Sequence, residues 1–234
     1  MEKGRQGMKF AWRLICMSMM SLTLLLAAGS ASAYGAWAPG DLRSVGLRLS
    51  DLPPQTIPDT ARFWTKAQAA GRDRLPTSTY NRHGRVLSYE DSFTRNVITG
   101  SEPVWLLLAR SEITAFNTVA GARWYFHRLN AEMPKEYVMS TNNLGANAGQ
   151  TAIKVPFRRL AIPAVGVADA GFTADSGGDE MAYTTRVILF ERGRYVVELH
   201  IRGLQDQTLV SSVVGVARKI DARVKAVSPG IFKS

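Results

Sequence analysis

The clearest pattern along this chain is a unit of two strands followed by a helix, which occurs twice. In the first copy, residues 86–93 alternate as in a half-buried strand, and residues 104–113 are almost continuously apolar, as in a central strand. Asn117 then caps a helix in which apolar positions recur every three or four residues. These positions are Val119, Ala122, Phe126, Leu129 and Met133. Such a stripe must pack against a sheet.

The second copy repeats this order near the end of the chain. Residues 183–190 and 195–202 are predicted strands, joined by a tight turn in which Gly193 supplies the positive φ angle. The returning strand alternates apolar residues with Glu198, His200 and Arg202, so one side of the sheet should be wet there. A closing helix is predicted over 208–225. Its apolar positions are Leu209, Val213, Val216, Ile220 and Val224.

The remaining segments complete the predicted fold. Residues 47–52 alternate like a short first strand, and residues 61–70 follow a capping sequence that predicts a helix ended by Gly71. An Asn/Gly-rich loop is expected over 139–151, and one or two strands over 153–168. A single antiparallel sheet with two or three helices packed on one face buries all these stripes, so the predicted class is α+β.

The first 33 residues have the features of a secretory signal peptide. A basic start is followed by the apolar stretch 14–28 and by Ala31-Ser32-Ala33, whose small residues suit cleavage after Ala33. The stretch is shorter than the roughly 20 residues that span a bilayer, so an uncleaved anchor is the weaker alternative. We therefore predict a signal peptide over 1–33, a linker over 34–45 and a single domain over 46–230, secreted or periplasmic after cleavage.

Cysteine usage and charge limit the chemistry. Cys16 follows Ile15 near the start of the apolar stretch, with most of that stretch after it, which does not fit lipidation. Its loss with the leader leaves no cysteine for a thiol nucleophile or a zinc site. Of the formal charge of +10, the leader holds four basic residues and Glu2, or +3, which leaves +7 on the other residues. An anionic envelope polymer or another envelope protein is therefore an expected partner, whereas nucleic acid is not. A solvated basic face without a partner is the alternative.

Several short motifs resemble those of a known group of proteins. They are Leu49-Ser50-Asp51-Leu52-Pro53-Pro54, Gly84-Arg85-Val86 ahead of Tyr89-Glu90, Gly178-Asp179-Glu180, Phe190-Glu191-Arg192-Gly193-Arg194-Tyr195-Val196-Val197, and Ala217-Arg218-Lys219-Ile220-Asp221-Ala222-Arg223. Together they resemble a loose group of secreted bacterial proteins of unassigned function. The group looks like the extracellular sensor domains of PknH-type receptor kinases and, more distantly, PsbP-like sandwiches. The resemblance implies a one-sheet α+β fold and supplies no catalytic residue; the cysteines that staple PknH-type domains are missing.

The residues give little support to three kinds of chemistry. The segment Ala174-Asp175-Ser176-Gly177-Gly178 partly matches the nucleophile segment of chymotrypsin-like proteases, but no histidine segment accompanies it, so a turn is the simpler interpretation. The three histidines have no second ligand at short spacing, and no phosphate-binding loop or dinucleotide fingerprint is present. We therefore expect no catalytic residue, metal or cofactor.

A ligand surface is predicted around the helix of the first unit. Trp124 and Arg128 lie opposite the apolar stripe, so that Trp124 is either covered by loop 139–151 or marks a binding surface with Tyr125 and Arg128. Arg158 and Arg159 either extend this surface or protect an edge strand.

The sequence therefore favours a non-catalytic exported sensor, ligand-binding or accessory module of the cell envelope. The alternatives are an adhesive protein bound to anionic polymers and, less readily, a serine hydrolase using Ser176.

Overall fold

A computed structural model describes residues 39–95, 106–141, 152–178, 181–205 and 207–227. The predicted signal peptide with its cleavage site, residues 34–38 of the predicted linker and most of loop 139–151 lie outside these residues. None of the described helices is both long and apolar enough to cross a bilayer.

An antiparallel sheet of seven strands forms the centre of the described chain. The strands are β1 (Thr56–Trp64), β2 (Arg85–Arg95), β3 (Leu108–Phe116), β6 (Arg158–Leu160), β7 (Ala168–Gly178), β8 (Met181–Arg192) and β9 (Tyr195–Leu204). Their order across the sheet is β1-β2-β3-β9-β8-β7-β6. The strands β4 (Tyr137–Thr141) and β5 (Ala152–Pro156) form a separate antiparallel pair. The α+β class with one main antiparallel sheet is thus confirmed.

Helices cover both faces of this sheet. They are α1 (Pro39–Val45), α2 (Lys66–Arg72), α3 (Thr77–Arg82), α4 (Val119–Glu132) and α5 (Val210–Val227), with short 3-10 turns at Leu49–Asp51 and Met133–Lys135. Glu191 and Arg192 are neighbours in β8, so their side chains point to opposite faces. Arg123 of α4 lies 3.6 Å from Glu191, whereas Arg192 donates to Asp221 of α5 at 2.6 Å.

The predicted packing of all helices on one face is therefore wrong. The reason lies in β8, where the run Val187, Ile188, Leu189 and Phe190 is buried on both faces and requires a cover on each. Helix α4 packs on the face of Val187 and Leu189, and α5 on the face of Ile188 and Phe190. We call these the α4 face and the α5 face.

The twin units themselves are confirmed, with small differences at their ends. Each contains two neighbouring antiparallel strands and a helix packed on the sheet, and Gly193 has the expected positive φ of 59°. The cap of α4 is Thr118 rather than Asn117, because the Thr118 hydroxyl accepts from the Gly121 amide at 3.0 Å. Leu209 precedes α5 and is 57% exposed, so it does not belong to the buried stripe.

The segments around the twin units differ more from the predictions. A helix, α1, occupies part of the expected linker, and its Leu42 and Val45 are buried. Residues 47–52 contain the 3-10 turn instead of a strand, and the first strand is β1, where a helix cap was expected. Helix α2 begins after Thr65, whose hydroxyl accepts from the Gln68 amide.

Strand β7 was not predicted. Residues 174–178, expected to form a turn, are its final part. Glycine is required at position 171 of this strand, because a Cβ atom on Gly171 would lie 2.6 Å from the Leu160 carbonyl oxygen. The strands β5 and β6 agree with the two interrupted strands expected over 153–168.

Candidate functional site

A cleft of about 1020 Å³ lies on the α4 face of the sheet. Its floor is the polar side of β3, β8 and β9. The floor residues are Leu108, Arg110, Glu112, Thr185, Glu198, His200 and Arg202. The walls come from α4 and the 3-10 turn after it, the segment after α2, and the β4–β5 region. The wall residues are Arg72, Asp73, Arg74, Tyr125, Arg128, Leu129, Glu132, Met133, Lys135, Glu136, Val138 and Phe157.

Strand alternation and register assemble this floor. In β9, Glu198, His200 and Arg202 alternate with side chains that are fully buried on the α5 face. The register with β3 sets Arg110 opposite His200 and Glu112 opposite Glu198. The buried side chains of α4 pack against Phe116, Val187, Leu189 and Val196 of the sheet. Because α4 packs on these apolar positions, it leaves the charged positions of β3 and β9 uncovered.

A buried ion cluster closes one end of the floor. Glu112 accepts two hydrogen bonds from Arg72, at 2.7 and 3.0 Å, and a third from Arg85 at 3.3 Å. Burial lowers the pKa of Arg72, but its hydrogen bond and charge interaction with Glu112 outweigh that effect and raise the pKa. Both partners of Glu112 are thus positively charged, and this carboxylate is neutralised by the protein itself.

Asp73 joins the helices beside this cluster. It accepts hydrogen bonds from the Tyr80 hydroxyl and from Arg72 Nε, the latter at 2.8 Å, and lies 3.9 Å from Arg128. Burial and the hydrogen bond to Asp73 raise the pKa of Tyr80 to about 12, so Tyr80 stays a donor at neutral pH. Arg128 also pairs with Glu132 at 2.9 Å. These contacts hold α2, α3 and α4 at a fixed separation.

Glu198 and His200 form a second pair on the floor. His200 Nε2 contacts Glu198 Oε1 directly. Burial raises the pKa of Glu198, but the charge and hydrogen bond of His200, together with Arg110 and Arg72, lower it to about 2. Glu198 is therefore a carboxylate at every physiological pH.

Two arginines of the floor remain without a hydrogen-bonded carboxylate among the described residues. Arg110 lies 3.8 Å from Glu112 and 4.0 Å from Glu90, beyond hydrogen-bond distance, and its buried Nε has no partner. Arg202 lies with its guanidinium 4.6 Å from the ring centroid of Tyr183, and no described carboxylate is within ion-pair distance of it. The hydrogen-bonding capacity of these two guanidinium groups is thus not used by a carboxylate of the described residues.

The chain is similar in fold to the extracellular domain of PknH from Mycobacterium tuberculosis. The two share 13% sequence identity and a TM-score of 0.56 over 81% of this chain and 97% of that one. At this identity the likeness shows the fold alone, and at that level it confirms the expected resemblance to PknH-type extracellular domains. No family model matches the chain, and no curated protein matches it in sequence.

The structure brings together two of the predicted ligand-binding residues. Tyr125 and Arg128 both line the cleft. Trp124 points away from it and is half-buried, with its ring stacked on His83 at 3.8 Å between centroids and edge-on to Tyr80. Tyr80 of α3 and His83, which follows α3, therefore cover Trp124. Of loop 139–151, only the first three residues are described.

Arg158 and Arg159 lie on the edge strand β6 and do not line the cleft. Arg158 pairs with Asp175 at 2.7 Å. Arg159 donates to the Asn130 carbonyl at 3.1 Å and lies over the Phe172 ring at 4.6 Å. These contacts tie β6 to β7 and α4, which agrees with the interpretation of the two arginines as edge residues.

Sequence reasoning missed most of the cleft residues. The wet face of β9 was recognised, but Glu198, His200 and Arg202 were not combined with Arg110 and Glu112 into a site. The available signal was the interruption of the apolar run 104–113 by Arg110 and Glu112, since a buried central strand has no need of charges unless they are paired.

Ser176 shows no catalytic arrangement in this structure. Its hydroxyl is buried in β7 and has no hydrogen-bond partner among the described residues. A serine nucleophile requires a histidine positioned to take its proton. His200 does not serve this purpose, because its Nε2 contacts Glu198. Within the described ranges, no three His, Cys, Asp or Glu side chains are grouped to hold a metal ion.

Proposed function

We propose that this chain is a non-catalytic exported module that binds a ligand of the bacterial cell envelope in the cleft on the α4 face. The observation that carries the proposal is the cleft itself, in which walls of charged and apolar residues stand over a floor of fixed charges. Its volume of about 1020 Å³ is that of a site for a sizeable small molecule. The fold similarity to an extracellular domain supports an extracytoplasmic location.

The charges of the cleft are arranged for binding rather than for a reaction. Glu112, Glu198 and Asp73 are each held by cations or hydrogen-bond donors of the protein, so none is a carboxylate poised to exchange a proton. Such paired groups form a rigid, preorganised surface. A preorganised surface lowers the entropy cost of binding and so suits recognition of a specific ligand.

Adhesion through a basic surface is supported less well. Several exposed arginines are already paired with acidic side chains of the protein, which reduces the field that a polymer would experience. They include Arg62 with Glu90, Arg123 with Glu191, and Arg158 with Asp175. In the cleft, by contrast, Arg110 and Arg202 have no hydrogen-bonded carboxylate among the described residues and share the lining with the apolar side chains of Leu129 and Val138.

A cleft-filling variant tests this proposal. Leu129→Trp would place an indole into the cleft from its α4 wall. Leu209→Trp makes the same change at an exposed position outside the cleft and serves as the matched control. The full chain, expressed with its own leader and purified, is screened against a library of small acids, sugars and lipid analogues by ligand-observed NMR.

We expect binders whose affinity falls at least tenfold in Leu129→Trp and is unchanged in Leu209→Trp, because only the first substitution removes cleft volume. Binders that are indifferent to Leu129→Trp, or a library without binders to a folded protein, would contradict the proposal.

A further inference from the structure

We infer that the cleft binds a phosphorylated amphiphile, with its phosphate over Arg110 and Arg202 and its apolar part against Leu129 and Val138, the partly exposed apolar residues of the walls. This inference rests on the proposed function and names the chemical class of the ligand. It follows from the charge left over on the floor, the geometry of the two arginines and the composition of the walls.

The two acids of the floor are engaged by other groups of the protein. Glu112 is bound by Arg72 and Arg85, and Glu198 contacts His200, so both acids of the floor already have partners within the protein. Arg110 and Arg202 have no hydrogen-bonded carboxylate among the described residues. The guanidinium donors of Arg110 and Arg202 are therefore the groups of the floor that remain available to an anion.

The positions of the two arginines favour phosphate over carboxylate. Arg110 is opposite His200 in the ladder, and Arg202 is two residues farther along the same face. Diagonal neighbours of this kind are about 7–8 Å apart, within joint reach of two long side chains. Two guanidinium groups offer two forks of N–H donors, and a phosphate has enough oxygens to accept from both, whereas a carboxylate satisfies one fork.

Such a ligand would also remove an imperfection of the unliganded floor. The buried Nε of Arg110 has no partner among the described residues, and like charges on neighbouring strands repel. An oxyanion between Arg110 and Arg202 supplies the missing acceptor and screens the repulsion. The floor is thus more favourable with an anion than without one.

The walls call for an apolar group attached to the phosphate. Leu129, Met133, Val138 and Phe157 surround the space above the floor. Phe157 also lies edge-on to His200, with 6.4 Å between ring centroids, so the aromatic wall adjoins the charged floor. Met133 and Phe157 are themselves buried, whereas Leu129 and Val138 are only partly buried. An alkyl or aryl group on the phosphate would cover the surface that Leu129 and Val138 still expose.

The test compares simple probes on the purified full chain by isothermal titration calorimetry. Hexyl phosphate combines both parts of the inferred ligand. Inorganic phosphate lacks the apolar part, hexanol lacks the charge, and hexanoate replaces phosphate by carboxylate. Phenyl phosphate distinguishes a soluble aromatic phosphate from a lipid-like source. We expect hexyl phosphate to bind at least tenfold more tightly than inorganic phosphate, hexanol or hexanoate, and its affinity to fall with rising salt.

Substitutions connect this binding to the two arginines. Arg110→Gln and Arg202→Gln should each weaken hexyl phosphate binding at least tenfold. Arg110→Lys keeps the charge but not the fork, so its loss should be smaller. Arg218→Gln removes the same charge from the exposed side of α5, on the other face of the sheet, and should leave binding unchanged. Circular dichroism and melting temperature confirm that each variant is folded.

The outcomes separate the inference from the proposed function. Equal binding of hexanoate and hexyl phosphate would overturn the phosphate assignment, and equal binding of hexanol would overturn the anion. If no probe binds while other compounds still bind in a manner that Leu129→Trp abolishes, the ligand class is wrong and the cleft remains a binding site. If Leu129→Trp affects no compound at all, both fail. Phenyl phosphate binding more tightly than hexyl phosphate would confirm the phosphate and point to an aromatic source.

Discussion

Arg85 is the largest fully buried side chain among the described residues. Its guanidinium lies between the rings of Tyr80 and Tyr125, at 4.6 and 5.1 Å from their centroids, and donates to Ser88 and Glu112. Burial raises the pKa of Tyr125 well above its ordinary value, so Tyr125 remains a neutral ring beside the cation. A buried charge is tolerated here because two ring faces and a carboxylate surround it.

Arg85→Met tests the importance of this charge. We expect the free energy of unfolding to fall by about 1–3 kcal/mol, because Glu112 loses the Arg85 donor but keeps its two hydrogen bonds from Arg72. Urea denaturation followed by far-UV circular dichroism measures the change. Adding Glu112→Gln to Arg85→Met should recover part of the loss. An unchanged denaturation midpoint in Arg85→Met would show that the cluster contributes nothing to stability.

At this scale the sequence predicts residue types and faces but not partners. Tyr125 and Arg128 were assigned to a possible site from their position on one helix, and both line the cleft. Their partners Arg85 and Asp73 come from segments more than 35 residues earlier in the chain. Local periodicity contains no information about such pairs, because they depend on how distant elements pack.

Gly121 sets the distance between α4 and the end of α3. A Cβ atom at this position would lie 2.0 Å from the His83 carbonyl oxygen, closer than any contact allows. The His83 ring stacks on Trp124 only one turn farther along α4. The close approach of the His83 backbone therefore requires glycine at position 121. The same approach holds the end of α3 next to Trp124.

Gly121→Ala should destabilise the protein by about 1–3 kcal/mol, because the added methyl group must displace backbone. Gly215→Ala is the matched control, since its Cβ would meet nothing within 4 Å on α5, and it should stabilise the helix by about 1 kcal/mol. Denaturation curves give both values, and near-UV circular dichroism reports the Trp124 environment. Opposite signs for the two substitutions are expected; a stabilising Gly121→Ala would contradict the close approach.

At the scale of elements, the predictions succeeded where structure follows local pattern. The twin strand-strand-helix units and the Gly193 turn were found because their signals lie within a few residues. Strand β1 was missed because Pro58 and Asp59 resemble a helix start, and they fit an edge strand that has a register shift there. The continuous apolar run 187–190 is the sequence feature that corresponds to helices on both faces, and the prediction of one covered face did not use it. The apolar stripe of a single helix does not show which face of the sheet that helix covers.

On the scale of the whole molecule, the sheet separates a closed face from an open one. The α5 face is covered by α5 and by α1 with its following 3-10 turn, which Arg223 holds by donating to Asp51 at 2.7 Å and to the Gly46 carbonyl at 2.8 Å. The α4 face is covered only in part, and the remainder is the cleft. The sequence predicted one α+β domain with a basic surface. It did not predict the cleft, because an opening is set by what the packed elements leave uncovered.

The closed face contains an ionisable group that should couple folding to pH. Asp91 of β2 is buried beneath Gly46 and accepts from the Ser111 hydroxyl. Burial raises the pKa of Asp91 to about 7, against the opposing effects of Ser111, the Leu47 amide and Arg223. In the unfolded chain an aspartate titrates near 4. The folded state therefore binds the extra proton between about pH 4 and pH 7.

Folding stability should consequently fall as the pH rises through this window. The proton on Asp91 contributes its full stabilisation below about pH 4, and the contribution is lost by pH 7, a change of at most about 4 kcal/mol. Glu198 acts in the opposite direction in a lower window: its pKa is lowered to about 2, so its stabilisation is present above its unfolded pKa and is lost on acidification. The two effects together predict a stability maximum between about pH 4 and pH 5.

Urea denaturation of the full chain from pH 3 to pH 8 measures this profile. Asp91→Asn keeps the shape of the side chain without its charge, so it should flatten the decline between pH 4 and pH 7 and be more stable than the parent protein at pH 7. Asp175→Asn changes a half-buried aspartate at the other end of the sheet, and the decline should persist in it. Equal slopes for Asp91→Asn and the parent protein would mean that the carboxyl group beneath Gly46 does not govern the stability of the domain near neutral pH.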